Sequence, residues 1–87
     1  MRYAVAGADT LRQQLEQSLR ELGAERERIR LQLHLQQSVV RADQWAELER
    51  RALIAELVGR KATPAARRTV DGALAAVRAF REGLVLH

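Results

Sequence analysis

Histidine is the residue type in this sequence best suited to binding a metal ion, and two histidines are present. His34 has no acidic residue or histidine three or four positions further along the chain, and His87 is the last residue. A metal site in a helical bundle requires several inward ligands, for example carboxylates or a Glu-x-x-His pair on facing helices. The sequence therefore predicts no metal site and no other cofactor.

The glutamates have the spacing of surface ion pairs rather than of paired catalytic acids. Glu47 precedes Arg51 by four positions, and Glu16 precedes Arg20 by four positions. Such pairs stabilise a helix by only about 0.3–0.5 kcal/mol each. Cysteine is absent, which excludes disulfides and thiolate chemistry for this sequence.

Nucleophilic catalysis is equally poorly supported, because Ser18 and Ser38 have no base within helical reach and there is no glycine-rich phosphate loop. We therefore expect a protein that is not an enzyme. One alternative stays open, a small helical-bundle enzyme in which Arg50 faces inward beside Gln32 and Gln36. Helical mutases that act on small dicarboxylates have arginine-lined pockets of this kind.

A basic turn, defined as Arg60, Lys61, Arg67 and Arg68, contains no acidic residue. The formal net charge is +4, from 15 basic and 11 acidic residues, so these four cations account for the whole excess. Cations beside a helix N-terminus predict a weak contact with an anionic partner, either nucleic acid or an acidic protein. The alternative is a solvated loop without a partner.

The composition predicts an all-helical fold to position these residues. Hydrophobic residues make up 47% of the chain but aromatic residues only 3%, and there is a single proline. Alanine, leucine, glutamate, arginine and glutamine are abundant, and all five favour helices. No apolar run approaches the ~20 residues of a membrane span or forms the core of a signal peptide, so the default expectation is a cytoplasmic protein.

Local signals divide the chain, treated as a single domain over 1–87, into helices at about 10–22, 24–58 and 64–82. Thr10 and Gln13 fit a capping box, and Gly23 offers a left-handed end, although it could instead lie within one longer helix. Gly59 ends the second helix, and the threonine–proline pair at 63–64 begins the third. The third helix has one apolar face, formed by Ala66, Val70, Ala73, Leu74, Val77, Phe80 and Leu84.

The predicted central helix is the longest element, at about 50 Å for 35 residues. A compact domain of this size has a diameter near 30 Å, so the central helix would outgrow its own core. We therefore expect a three-helix chain, or antiparallel helical hairpin, that assembles as a helical bundle or coiled-coil homo-oligomer. The alternative is a monomeric three-helix bundle.

Two apolar stripes run along the predicted central helix, separated by a polar seam that includes Asp43 and Arg50. The first stripe is assigned to packing within the chain and contains Leu31, Leu35, Val39, Ala42, Ala46, Leu53 and Leu57. The second is assigned to the interface of a dimer or tetramer and contains Ile29, Leu33, Val40, Ile54 and Val58. Trp45 lies beside the first stripe and is predicted to be a core or interface residue, so it is added to the candidate interface.

The segment IRLQLHLQQSVVRADQWAEL, at 29–48, resembles a pattern found in small uncharacterised bacterial α-helical coiled-coil proteins. In that pattern a Leu-His-Leu run is followed by an acidic residue, a tryptophan and Glu-Leu. The alanine-rich helix after Thr63 is similar to their C-terminal segment. The resemblance implies a helical hairpin or bundle and implies no activity, so the predicted role is that of a structural or protein-interaction protein.

Overall fold

A computed structural model of the chain describes the backbone of residues 2–85 and the side chains of residues 9–84. It contains α1 (Arg2–Gln36), α2 (Val39–Gly59) and α3 (Pro64–Val85), and no strand occurs in this part of the chain. The predicted all-α fold is confirmed. None of these helices combines the length and the apolar character that crossing a membrane requires.

The break between α1 and α2 lies at residues 37–38, inside the segment predicted as one central helix. Gln37 adopts a left-handed backbone with φ of 55°, and its N–H donates to the carbonyl of Leu33 at 2.9 Å. Ser38 then caps α2, because its extended backbone lets Oγ accept from the N–H of Arg41 at 3.3 Å. The longest helix is therefore the first and not the central one.

The predicted helix end at Gly23 is wrong, because α1 continues through this residue. The backbone at Gly23 does not have a positive φ, and the predicted cap at Thr10 lies well inside α1. Leu22 and Ile29 are both fully buried and lie seven residues apart, which is two helical turns on one face. The alternative of one longer helix is thus confirmed, and burial on both sides of Gly23 stabilises it.

Replacing Gly23 with alanine should raise the free energy of unfolding by about 1 kcal/mol, since alanine is the better helix former and nothing lies within 4 Å of the added Cβ. Urea denaturation followed by circular dichroism measures this change. Gly59→Ala is the matched control. It should not raise the free energy of unfolding, because its added Cβ would lie 3.1 Å from side-chain atoms of both Leu19 and Val70. A loss of stability on Gly23→Ala would indicate that α1 ends at this glycine.

The turn between α2 and α3 follows the predicted boundary. Thr63 Oγ1 accepts from the N–H of Ala66 at 3.0 Å, and Pro64 occupies the first helical position, where its missing donor is harmless. The start of α3 is confirmed. Its end lies later than predicted, because the helix continues through Gly83 to Val85.

The three helices form an elongated bundle in which α2 is antiparallel to both α1 and α3. The molecule measures 54 × 19 × 15 Å, and its long axis matches the ~52 Å of a 35-residue helix. Trp45 of α2 stacks on Phe80 of α3, with ring centroids 5.7 Å apart. The remaining buried core consists of Leu15, Leu22, Ile29, Ala52, Ala55, Val70, Ala73, Leu74, Val77 and Leu84.

Candidate functional site

The outward side of α2 is unusually apolar for a surface. We call it the α2 face, defined by the exposed side chains Val39, Val40, Leu53, Ile54 and Leu57. Their exposed fractions range from 43% to 75%. At ~100° per residue, they lie on the side of the helix opposite the buried residues Trp45, Ala52 and Gly59.

The centre of the α2 face is small and charged. Ala42 and Ala46 are exposed there, and Arg50 Nη1 donates to Glu47 Oε1 at 3.3 Å. Large apolar side chains therefore lie at both ends of the face, with an ion pair and alanines between them. The predicted pairing of Glu47 with Arg51 is replaced by this three-residue spacing.

The predicted interface residues are distributed between the core and the surface. Ile29 and Trp45 are buried within the single chain, so this structure does not offer them to a second subunit. Leu33 and Val58 are partly buried, and Val40 and Ile54 are exposed on the α2 face. Only the last two lie where the prediction requires.

The predicted inner stripe also needs correction, because Leu31, Leu35, Val39, Leu53 and Leu57 are all exposed. The physical reason is the break at 37–38. The predicted stripe assumed one continuous helix. Its residues instead lie on two antiparallel helices, so the side chains before the break and those after it do not face the same side of the bundle. The polar seam is divided in the same way, with Gln32 and Gln36 on α1 and Asp43 on α2.

Ion pairs join α1 to α2. Arg26 Nη1 lies 2.6 Å from Glu56 Oε1, and Arg30 Nε lies 2.7 Å from Glu49 Oε2. The hydrogen bond and the charge of Glu49 raise the pKa of Arg30 above its ordinary value. These glutamates therefore have charged partners on the neighbouring helix, a contact that spacing within one helix could not reveal.

Ion pairs also join α1 to α3. Glu21 Oε2 lies 2.7 Å from Arg78 Nη2, and the largely buried Glu25 pairs with Arg81. Ser18 Oγ donates to Asp71 Oδ1 at 3.1 Å. The hydroxyl of Ser18 is thus used in packing two helices together.

The seam between α2 and α3 is different, because it opens into a groove of about 410 Å³. The groove is lined by Arg50, Arg51 and Ile54 from α2 and by Arg68, Thr69 and Gly72 from α3. Arg50 is 68% exposed, so the groove does not enclose it as the enzyme alternative requires. His34 is exposed at the end of α1, and His87 lies outside the described residues.

The basic turn is not a single surface. Arg60, Lys61 and Arg68 are exposed, whereas Arg67 pairs with Asp71 at 3.4 Å and donates to Gln14 of α1. One of the four predicted cations is therefore used in joining α3 to α1. Contact with an anionic partner through the other three stays a prediction.

Among the residues whose side chains are described, no group of three or more histidines, cysteines or acidic residues is arranged to hold a metal ion. No family model, curated protein or solved structure matches the chain. The resemblance to small bacterial coiled-coil proteins therefore stays a prediction. What is shown is a small all-α protein built as a three-helix bundle.

Proposed function

We propose that the chain is a non-enzymatic structural or protein-interaction protein that self-associates through the α2 face. The observation that carries this proposal is the symmetry of that face. Val39 and Val40 lie near one end, Leu53, Ile54 and Leu57 lie near the other, and an ion pair lies between them. A pattern that reads alike in both directions suits a two-fold antiparallel pair of helices.

The pairing can be followed residue by residue. A two-fold axis passing between positions 48 and 49 sets Val40 opposite Leu57 of the partner subunit. The same axis sets Glu47 opposite Arg50 of the partner subunit, so each arginine meets two carboxylates. Apolar contacts thus form at both ends, and opposite charges meet at the centre.

The thinness of the molecule supports the same arrangement. The bundle measures only 19 × 15 Å across, so α2 packs on the core with one side and exposes its other side to solvent. Burying apolar surface stabilises a complex by roughly 25 cal/mol per Å², and small bundles commonly obtain this stabilisation by oligomerisation. Alanines at 42 and 46 allow the two helices to approach closely.

Size-exclusion chromatography with light scattering, at low and high salt, tests the proposal directly. We expect a dimer of the 9.8 kDa chain that persists at high salt, because most of its buried surface would be apolar. Leu57→Glu should raise the dimer dissociation constant at least about tenfold, since it removes apolar contacts and sets an unpaired carboxylate opposite the apolar Val40 at each end of the interface. Sedimentation at several protein concentrations gives this constant.

Leu35→Glu is the matched control, because Leu35 is also exposed but lies on α1. It should leave the dissociation constant unchanged. Glu47→Arg or Arg50→Glu alone should weaken the dimer, and the two together should restore it. A wild-type monomer, or equal effects of Leu57→Glu and Leu35→Glu, would rule out the α2 face as the interface.

A further inference from the structure

Arginine is placed differently along the three seams of the bundle. Across the α1–α2 seam, Arg26 and Arg30 meet Glu56 and Glu49 at hydrogen-bond distance. Across the α1–α3 seam, Arg78 and Arg81 meet glutamates of α1. Arginines that face a neighbouring helix in this protein thus normally have a carboxylate partner.

The α2–α3 seam breaks this rule. Arg51 and Arg68 both line its groove, and neither forms an ion pair or a side-chain hydrogen bond with any residue whose side chain is described. Arg50 contributes a third cation, and Glu47 contributes the single carboxylate, which already contacts Arg50. The formal charge of the groove is therefore +2.

The surface of α3 leaves room for Arg51 at Gly72. Gly72 has no side chain, and an added Cβ there would lie 3.7 Å from Arg51 Nη2. The guanidinium of Arg51 can therefore extend beside the backbone of α3, on the seam that Arg68 lines. Both side chains are exposed, and like charges that line one groove repel one another unless an anion lies between them.

We propose that the groove binds a small molecule that carries a phosphate group. A phosphomonoester is close to a dianion at neutral pH, which matches the +2 charge of the groove. A guanidinium group can also donate two parallel hydrogen bonds to two oxygens of one phosphate. The volume of about 410 Å³ falls in the range of about 300–1,000 Å³ that is typical of small-molecule sites. The remainder of the ligand would lie on the exposed apolar side chain of Ile54.

The groove shares Glu47, Arg50 and Ile54 with the α2 face and its central ion pair, whereas Arg51 and Arg68 lie outside that face, so the groove is tested with substitutions at Arg51 and Arg68. We name phenyl phosphate as the probe, since it combines a phosphate dianion with an apolar ring. Titration at about pH 8, above the second phosphate pKa of ~6, is followed by two-dimensional amide NMR. The amide signals of Ala55, Thr69 and Gly72 should shift, and phenyl phosphate should bind several-fold more tightly than inorganic phosphate.

The paired substitution Arg51→Gln with Arg68→Gln should raise the dissociation constant of phenyl phosphate at least about tenfold. Arg12→Gln with Arg20→Gln removes the same charge from exposed positions on α1 and should change it less than about twofold. Gly72→Glu places a carboxylate in the groove. It should abolish binding while preserving the helix, because glutamate favours helices more than glycine does.

Equal losses in the two arginine pairs would overturn the proposal, because they would mean that only the overall charge attracts the probe. Absence of amide shifts in the groove would overturn it as well. A duplex DNA oligonucleotide that binds instead of phenyl phosphate, and is released when Arg60 and Lys61 are replaced by glutamine, would assign the charge to nucleic-acid binding by the turn. The dimer dissociation constant, measured separately, keeps this test distinct from that of the α2 face.

Discussion

Replacing Leu22 with alanine should lower the free energy of unfolding by about 3 kcal/mol. The side chain of Leu22 is completely buried in the core, one heptad from Leu15 on one side and from Ile29 on the other. Its loss removes buried apolar surface and leaves a cavity. The three packed helices could fill this cavity only by shifting as whole helices, so most of it remains. Small domains have stabilities of about 5–15 kcal/mol, so this single change would remove a large share.

Leu35→Ala is the matched control for Leu22→Ala, since it makes the same chemical change on the same helix at a position that is 73% exposed. It should change the free energy of unfolding by less than about 0.5 kcal/mol. Urea denaturation at several protein concentrations separates the effect on the chain from any effect on self-association. Similar losses for the two variants would contradict the position of Leu22 in the core.

The third helix could be predicted from sequence because its signals are local. Thr63 and Pro64 fix its start through one hydrogen bond and one fixed φ angle. Its apolar positions recur at helical spacing, and six of the seven predicted ones, from Ala66 to Leu84, are buried, with Phe80 packed against them. Periodicity and capping both act within a few residues, so no knowledge of the other helices was needed.

The boundary between α1 and α2 could not be predicted in the same way. The left-handed residue that ends α1 is Gln37, a residue type that rarely adopts this conformation, while Gly23 offers a more typical end and does not use it. Ser38 was a usable signal, because serine is a preferred cap. The equal spacing of Leu15, Leu22 and Ile29 was another, since it continues across Gly23.

The candidate surfaces depended on that boundary. Once the chain reverses at 37–38, Leu53 and Leu57, which were predicted to pack within the chain, face outward, and Trp45, which was predicted at the interface, faces the core. The ion pairs between helices join residues such as Arg26 and Glu56, 30 positions apart. Their partners follow from the register of packed helices, and no local pattern contains that information.

Glu25→Ala should lower the free energy of unfolding by about 2–3 kcal/mol, because it leaves Arg81 without its carboxylate. Glu25 is only 4% exposed, pairs with Arg81 of α3 and accepts from Arg28 at 3.2 Å. Removing one partner of a fully buried pair costs about 3–5 kcal/mol, and a loss at or just below that range is expected here because the side chain of Arg81 is one-third exposed and can regain water. Thermal and urea denaturation measure the loss.

Glu27→Ala is the control for Glu25→Ala, since Glu27 pairs with Arg30 at 3.7 Å while remaining 74% exposed, and it should cost less than about 1 kcal/mol. Replacing Glu25 with leucine and Arg81 with methionine together should recover most of the lost stability. Two apolar side chains of similar volume then fill the space without a buried charge. If this double variant were as unstable as Glu25→Ala, the loss would come from packing, and the ion pair would not explain it.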